Sequence, residues 1–213
     1  LRDAAYVRLN VEGYGGMIMS TWLDRPLSAA GHIIVSENGK LVSKLVNLDR
    51  TTLIIPSVAI HMDRTANGGH AWNIQQDLLP LYGTADDSLS FMDAVAAAAQ
   101  VAPENILGHD LYLYSRIEGT LWGERHEFIS SARLDDLQCA FAAFRGFTAG
   151  KKEKHICVYA LFDNEEVGSA TNQGAGATFL KNTLTRISRS LGYSYDETQA
   201  MIARSFMISA DNG

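Results

Sequence analysis

A chain of 213 residues, 46% of them apolar, is long enough for one large domain or two modest ones, each with a buried core. Its 18 Lys and Arg against 24 Asp and Glu give a net charge of −6, which weighs against electrostatic capture of nucleic acid or of an anionic membrane and leaves peptides and small molecules as fitting partners. No window approaches about 20 consecutive apolar residues and no charged-then-apolar run opens the sequence, so neither a membrane span nor a secretory signal is predicted and the cytoplasm is the expected location.

The first half reads as β-rich. Tyr6-Val7-Arg8-Leu9-Asn10-Val11 alternates, and His32-Ile33-Ile34-Val35, Leu41-Val42-Ser43-Lys44-Leu45-Val46 and Leu53-Ile54-Ile55 follow at short intervals. Asn38-Gly39 between two of these runs signals a hairpin. Asp86-Asp87-Ser88 is expected to start a helix that runs to about Gln100, with Pro103 barring its continuation. The second half changes character near residues 120 to 128. Residues 135–148 carry Leu137, Phe141 and Phe144 at helical spacing. Ile156-Cys157-Val158-Tyr159-Ala160-Leu161-Phe162 is a continuous apolar run, which predicts a strand buried on both faces of a parallel sheet.

Residues 175–191 are helical in pattern, and Ser194 with Glu197 has capping-box spacing before Ala200-Met201-Ile202-Ala203. A last apolar run, Phe206-Met207-Ile208-Ser209-Ala210, predicts another buried strand. This order implies βαβ units and an α/β fold, a mixed sheet covered by helices. Cys139 and Cys157, one in a helical pattern and one in a strand pattern, read as reduced packing residues. The sequence opens on Leu1-Arg2-Asp3 and stops at Asp211-Asn212-Gly213 directly after an apolar run, so it reads as a fragment of a longer protein.

In open α/β sheets ligands collect outside the carboxyl ends of strands. Three acidic groups fall at such places: Asp135-Asp136, Asp163-Asn164-Glu165-Glu166 and Asp211. Gathering carboxylates at one sheet edge is costly unless cations neutralise them. A metal pair removes that cost, polarises a carbonyl and activates water, and a glutamate beside a ligand can take the proton. The competing reading for each acidic residue taken alone is a helix cap or a solvated turn.

Several strings resemble the aspartyl aminopeptidase family of zinc metallopeptidases, in order from residue 14 to residue 211. They are Tyr14-Gly15-Gly16-Met17, Ser20-Thr21-Trp22-Leu23-Asp24-Arg25-Pro26-Leu27, Ile54-Ile55-Pro56 with Ala59-Ile60-His61-Met62, and Ile106-Leu107-Gly108-His109-Asp110-Leu111. Ser131-Ala132-Arg133-Leu134-Asp135-Asp136-Leu137, Asp163-Asn164-Glu165-Glu166-Val167-Gly168-Ser169 and Ser209-Ala210-Asp211 complete the set. The resemblance implies an enzyme that removes N-terminal Asp or Glu from peptides with two zinc ions, for which manganese or cobalt could substitute in so carboxylate-rich a site.

By the same resemblance Asp135 bridges the ions, Glu166 and Asp211 each hold one, and Glu165 is the general base. The peptide after Asp135 is expected to be cis, and Asp136, where the family more often has Asn, stands beside the metal as a supporting residue. His61 matches a histidine that enters the neighbouring subunit's site. His32, His70, His109, His126 and His155 match no ligand position.

The resemblance further implies an inserted dimerisation domain over residues 19–124, between parts of the catalytic domain at 1–18 and 125–213. It also implies a homo-oligomer, a dimer that assembles into a dodecamer. Both zinc histidines of the family fall outside this sequence, so the chain alone is expected to bind zinc weakly or not at all and to hydrolyse nothing. Two other readings stay open: a neutral-residue aminopeptidase of the related tetrahedral type, and, for the chain as it stands, a non-catalytic oligomerisation module.

Overall fold

Alternating apolar residues bounded by turn formers favour antiparallel ribbons, and the first half of the chain builds them. The computed structural model describes every residue except Ala4, Asp86, Asp87, Lys152 and Gly213. Its principal elements are β1 (Tyr6–Arg8), β2 (Leu27–Glu37), β3 (Lys40–Asn47), α1 (Ile74–Asp77), β4 (Leu81–Thr84), α2 (Phe91–Ala99), β5 (Ile106–Ser115), β6 (Thr120–Trp122) and β7 (Phe128–Ser130). Then follow α3 (Leu134–Ala149), α4 (Phe179–Ser190) and α5 (Tyr195–Ala203). They fall into two compact units, Leu1–Gly13 with Met17–Ala132, and Tyr14–Gly16 with Arg133–Gly213. β1 pairs with β4 and the β6–β7 hairpin clusters with the first unit, which gives way to the second after Ala132.

The first unit is organised by an antiparallel sheet in the order β3-β2-β5. Asn38 and Gly39 both take positive φ, 52° and 75°, and connect Glu37 to its register partner Lys40, the two-residue hairpin that this dipeptide signals. One sheet face carries Ile33, Val35 and Val46, packed with Val95 of α2. A second cluster gathers Leu27, Ala29, Leu53, Ile55 and Leu78, so the expected strand at 53–55 serves the core while making only isolated bridges, Leu27 to Leu53 and Ile54 to Leu81. The helix expected from Asp86-Asp87-Ser88 begins later, at Phe91, because Ser90 caps it by accepting from the Asp93 N–H at 3.2 Å. Asp86 and Asp87 themselves lie outside the described residues.

Ile33 has no exposed surface and sits at the middle of the sheet. Ile33→Ala is expected to cost about 2–5 kcal/mol and Ile33→Val about 0.5–1.5 kcal/mol, graded with the volume removed. Urea denaturation monitored by circular dichroism checks this; equal midpoints for the two variants would mean that the site collapses around the gap.

The second unit holds α3, α4 and α5. Ser194 caps α5 reciprocally with Glu197: the Ser194 Oγ accepts from the Glu197 N–H at 3.3 Å and the Glu197 carboxylate accepts from the Ser194 N–H at 2.8 Å. The Ser194 N–H and, at 2.7 Å, the Ser194 hydroxyl donating to the Glu197 carboxylate hold that carboxyl below its ordinary range. Buried Ser188 and Thr198 join α4 to α5 through a 2.6 Å hydroxyl pair.

The two strands expected here need correction. Among the described residues, neither 156–162 nor 206–210 forms a hydrogen-bonded strand, and Ile156 and Phe206 are 74% and 86% exposed. A strand buried on both faces requires hydrogen-bonded neighbours at its edges as well as helices above and below, and the described residues of this unit supply helices without a neighbouring strand. What remains is an anchor on α3: the Tyr159 hydroxyl donates to the Ala140 carbonyl at 2.9 Å, and its ring meets Phe144 and Phe147 at centroid distances of 5.7 and 6.0 Å. Among the described residues no helix is long and apolar enough to cross a membrane.

Candidate metal centre

The first turn of α3 is irregular in a way that serves its carboxylates. Arg133 takes a left-handed φ of 61°, and Asp135 and Asp136 have non-helical backbone angles before the helix settles into regular geometry. The Asp135–Asp136 peptide is cis, as the family resemblance implies. Asp211 arrives from the other end of this unit, and ligand oxygens of Asp135, Asp136 and Asp211 lie within 4.8 Å of one another.

The residue after Asp211 ties the two segments together. The Asn212 Nδ2 donates to the Leu134 carbonyl at 2.7 Å, while its Oδ1 accepts from the Cys139 thiol at 3.0 Å. Cys139 follows three residues after Asp136 on α3. Partial burial, with the neighbouring Asp136, Asp211 and Asp135 carboxylates, pushes its thiol up, so it acts as a neutral donor.

Whether this cluster suits a cation is decided by Asp136. Its Oδ1 is buried with no hydrogen-bond partner, and it belongs to a group of three like charges. A buried polar atom left unpaired costs about 1–3 kcal/mol, and clustered carboxylates repel. A divalent cation relieves both, and an all-oxygen donor set is one that zinc, manganese or cobalt accepts. The residues present therefore fit a metal. Asp136, expected only to support the site, contributes an oxygen to the cluster itself.

The Asp163–Glu166 segment is placed differently. Glu165 and Glu166 are exposed in a turn closed by the Gly168 N–H donating to the Glu165 carbonyl at 3.0 Å, and neither joins the carboxylate group. Asn164 shapes this turn with a left-handed φ of 62°, its Nδ2 donating to Thr171 Oγ1 and Gln173 Oε1 at 3.3 Å each. The Tyr14 hydroxyl donates to Asn164 Oδ1 at 3.3 Å. His61 belongs to the first unit, exposed in a turn after Ile60.

Sequence reasoning missed Asn164, Asn212 and Cys139 as supports. An available signal was Asn itself, the residue other than Gly that best tolerates left-handed backbone, inserted between Asp163 and Glu165.

The model of the aminopeptidase I zinc metalloprotease family, M18, matches residues 2–213. The chain is 42% identical over 216 residues to a "Probable M18 family aminopeptidase 2" of Clostridium acetobutylicum, covering 99% of this chain and 50% of that protein. It is 32% identical over 247 residues to aspartyl aminopeptidase 4 of Saccharomyces cerevisiae, covering 97% of this chain and 50% of that one. The chain thus spans about half the length of the curated relatives it matches.

Among solved structures, that of the Ape4 and Nbr1 complex matches with a TM-score of 0.79 at 32% identity, over 89% of this chain and 41% of its counterpart. The S. cerevisiae mApe1 dodecamer matches with a TM-score of 0.65 at 27% identity, over 86% and 43%. These likenesses agree with a mixed α/β fold, and the chain belongs to the M18 family of zinc metalloproteases.

Proposed function

We propose that the whole protein is a zinc aminopeptidase that removes an N-terminal Asp or Glu from peptides. The observation that carries this reading is the convergence of Asp135, Asp136 and Asp211 around a buried, unpaired carboxylate oxygen, and its likeness to the yeast aspartyl aminopeptidase supports the acidic specificity. A bound zinc pair supplies Lewis acidity to the scissile carbonyl and to the attacking water. Asp135, Asp211 and Glu166 would hold the ions, Asp135 as the ligand common to both and Asp211 and Glu166 as a ligand of one each, and Asp136 would lend support from the same cluster. Glu165 accepts the proton of the attacking water and returns it to the leaving amine.

Residues 19–124 act as the inserted dimerisation domain, flanked by parts of the catalytic domain at 1–18 and 125–213. His61 reaches the site of a neighbouring subunit in a homo-oligomer built from dimers, and the dodecamer of the S. cerevisiae relative supports oligomeric assembly. The working location is the cytoplasm.

The test is hydrolysis by the whole protein of aspartyl, glutamyl and leucyl chromogenic substrates. Cleavage of the two acidic substrates in preference to the leucyl one is expected. Leucyl preference would overturn the acidic specificity and move the protein to the neutral aminopeptidases, and no hydrolysis of any of them would overturn the peptidase activity.

A further inference from the structure

Tyr14, Gly15 and Gly16 belong to the second unit, although the chain on both sides of them belongs to the first. Their contacts fall on the turn that carries Glu165 and Glu166. Gly15 has a left-handed φ of 64°, a conformation glycine adopts without penalty. A Cβ there would come within 2.6 Å of the Glu166 carbonyl oxygen, 2.7 Å of its Cβ and 2.9 Å of its Oε2. The bare face of Gly15 therefore lies against the backbone, the stem and the carboxylate of Glu166 at once.

One residue earlier, the Tyr14 hydroxyl reaches Asn164, 150 positions away in sequence, and Asn164 is the residue whose left-handed backbone shapes the turn. At Gly16 the situation is opposite: a Cβ would meet nothing within 4 Å.

We propose that Tyr14-Gly15 is a positioning strap that sets the orientation of the Glu166 carboxylate for metal binding, with Gly15 as its contact point and Tyr14 as its fastening. This rests on the reading of Glu166 as a ligand of one of two metal ions. The physical logic is that of outer residues at metal sites, whose loss lowers affinity because the ligand no longer presents its oxygen ready-placed. Gly15 does so by shape: its missing side chain leaves room for Glu166 where it stands, and a Cβ there would collide with its backbone, stem and carboxylate.

Adjacent glycines make the experiment a matched pair. Wild-type, Gly15→Ala, Gly16→Ala and Tyr14→Phe forms of the whole protein are stripped of metal, titrated with Zn2+ by calorimetry, and loaded with Co2+ for visible absorption spectra, with circular dichroism as the folding control. Gly15→Ala is expected to weaken one of the two ions by about 10–100-fold and to alter the Co2+ spectrum, while the other ion binds as in wild type. Gly16→Ala is expected to match wild type, and Tyr14→Phe to shift the spectrum in the same direction as Gly15→Ala by a smaller amount.

Wild-type affinity and spectrum in Gly15→Ala would overturn the strap, as would an equal loss in Gly16→Ala. Should Gly15→Ala fail to fold, Tyr14→Phe decides, and a wild-type spectrum there overturns the proposal. Failure of the underlying reading looks different: Glu166→Gln would bind two ions as tightly as wild type, or wild type itself would take up none.

Discussion

Asp135→Ala is expected to abolish metal binding by the whole protein and to lower kcat/KM for acidic substrates on the order of 10⁴-fold, the scale on which loss of a core member of a catalytic unit acts. Asp135 is the proposed shared ligand, so its loss weakens both ions where Glu166→Gln or Asp211→Asn would weaken one. The same substitution carries a crossed stability effect. Without metal, three carboxylates with oxygens within 4.8 Å repel, and removing one relieves that repulsion, so the metal-free variant is expected to melt no lower than the metal-free wild type. With zinc present at about 100 times its dissociation constant, the wild type gains roughly 2.7 kcal/mol through selective binding to the folded state, and the variant gains little. Thermal melts of both proteins with and without zinc, beside metal content by elemental analysis, check the prediction. Activity that survives Asp135→Ala, or an unchanged zinc-induced rise in Tm, would show that Asp135 holds no metal.

The parts of this architecture that were legible in the sequence are those set by neighbours in the chain. Asn38-Gly39 specifies its hairpin because both residues accept positive φ, and Ser194 with Glu197 specifies the start of α5 because the two bonds span three residues. The start of α2 was misplaced because Ser90 caps it from inside the stretch expected to be helical. The runs at 156–162 and 206–210 have the composition of strands buried on both faces, yet composition records what a strand needs and not whether a partner lies beside it; here those side chains stand exposed.

Asp135, Asp136 and Asp211 were each visible as acidic residues at element ends, and the structure brings these three together. Glu166 stays outside that group, its turn held by Asn164, Thr171, Gln173 and the Tyr14–Gly15 contact rather than by a paired strand. Contacts of that kind, joining residues 78 positions apart at Asn212 and 150 apart at Tyr14, leave no periodic trace, because they depend on where the backbone ends up and not on local pattern.

Glu165→Gln is expected to separate chemistry from metal binding. Glu165 is exposed, its backbone carbonyl closes the turn with Gly168, and its side chain takes no part in the carboxylate group, so the isosteric amide leaves fold, turn and ligands in place. What the substitution removes is the proposed acceptor for the proton of the attacking water. Loss of a positioned general base costs about 10²–10⁴-fold in rate, and the loss is expected in kcat with KM little changed, the pattern of an interaction made only in the transition state. Zinc content and the zinc-induced rise in Tm are expected to equal those of wild type. Glu166→Gln, one residue along the same turn, is expected to lose metal as well as activity, so the pair of substitutions assigns the two glutamates by different measurements. If Glu165→Gln loses zinc, the roles of the two residues are exchanged. If it keeps activity within a few-fold of wild type, the proton goes to another base, and Asp136, whose carboxylate lies within the Asp135–Asp136–Asp211 group, is the next residue to replace.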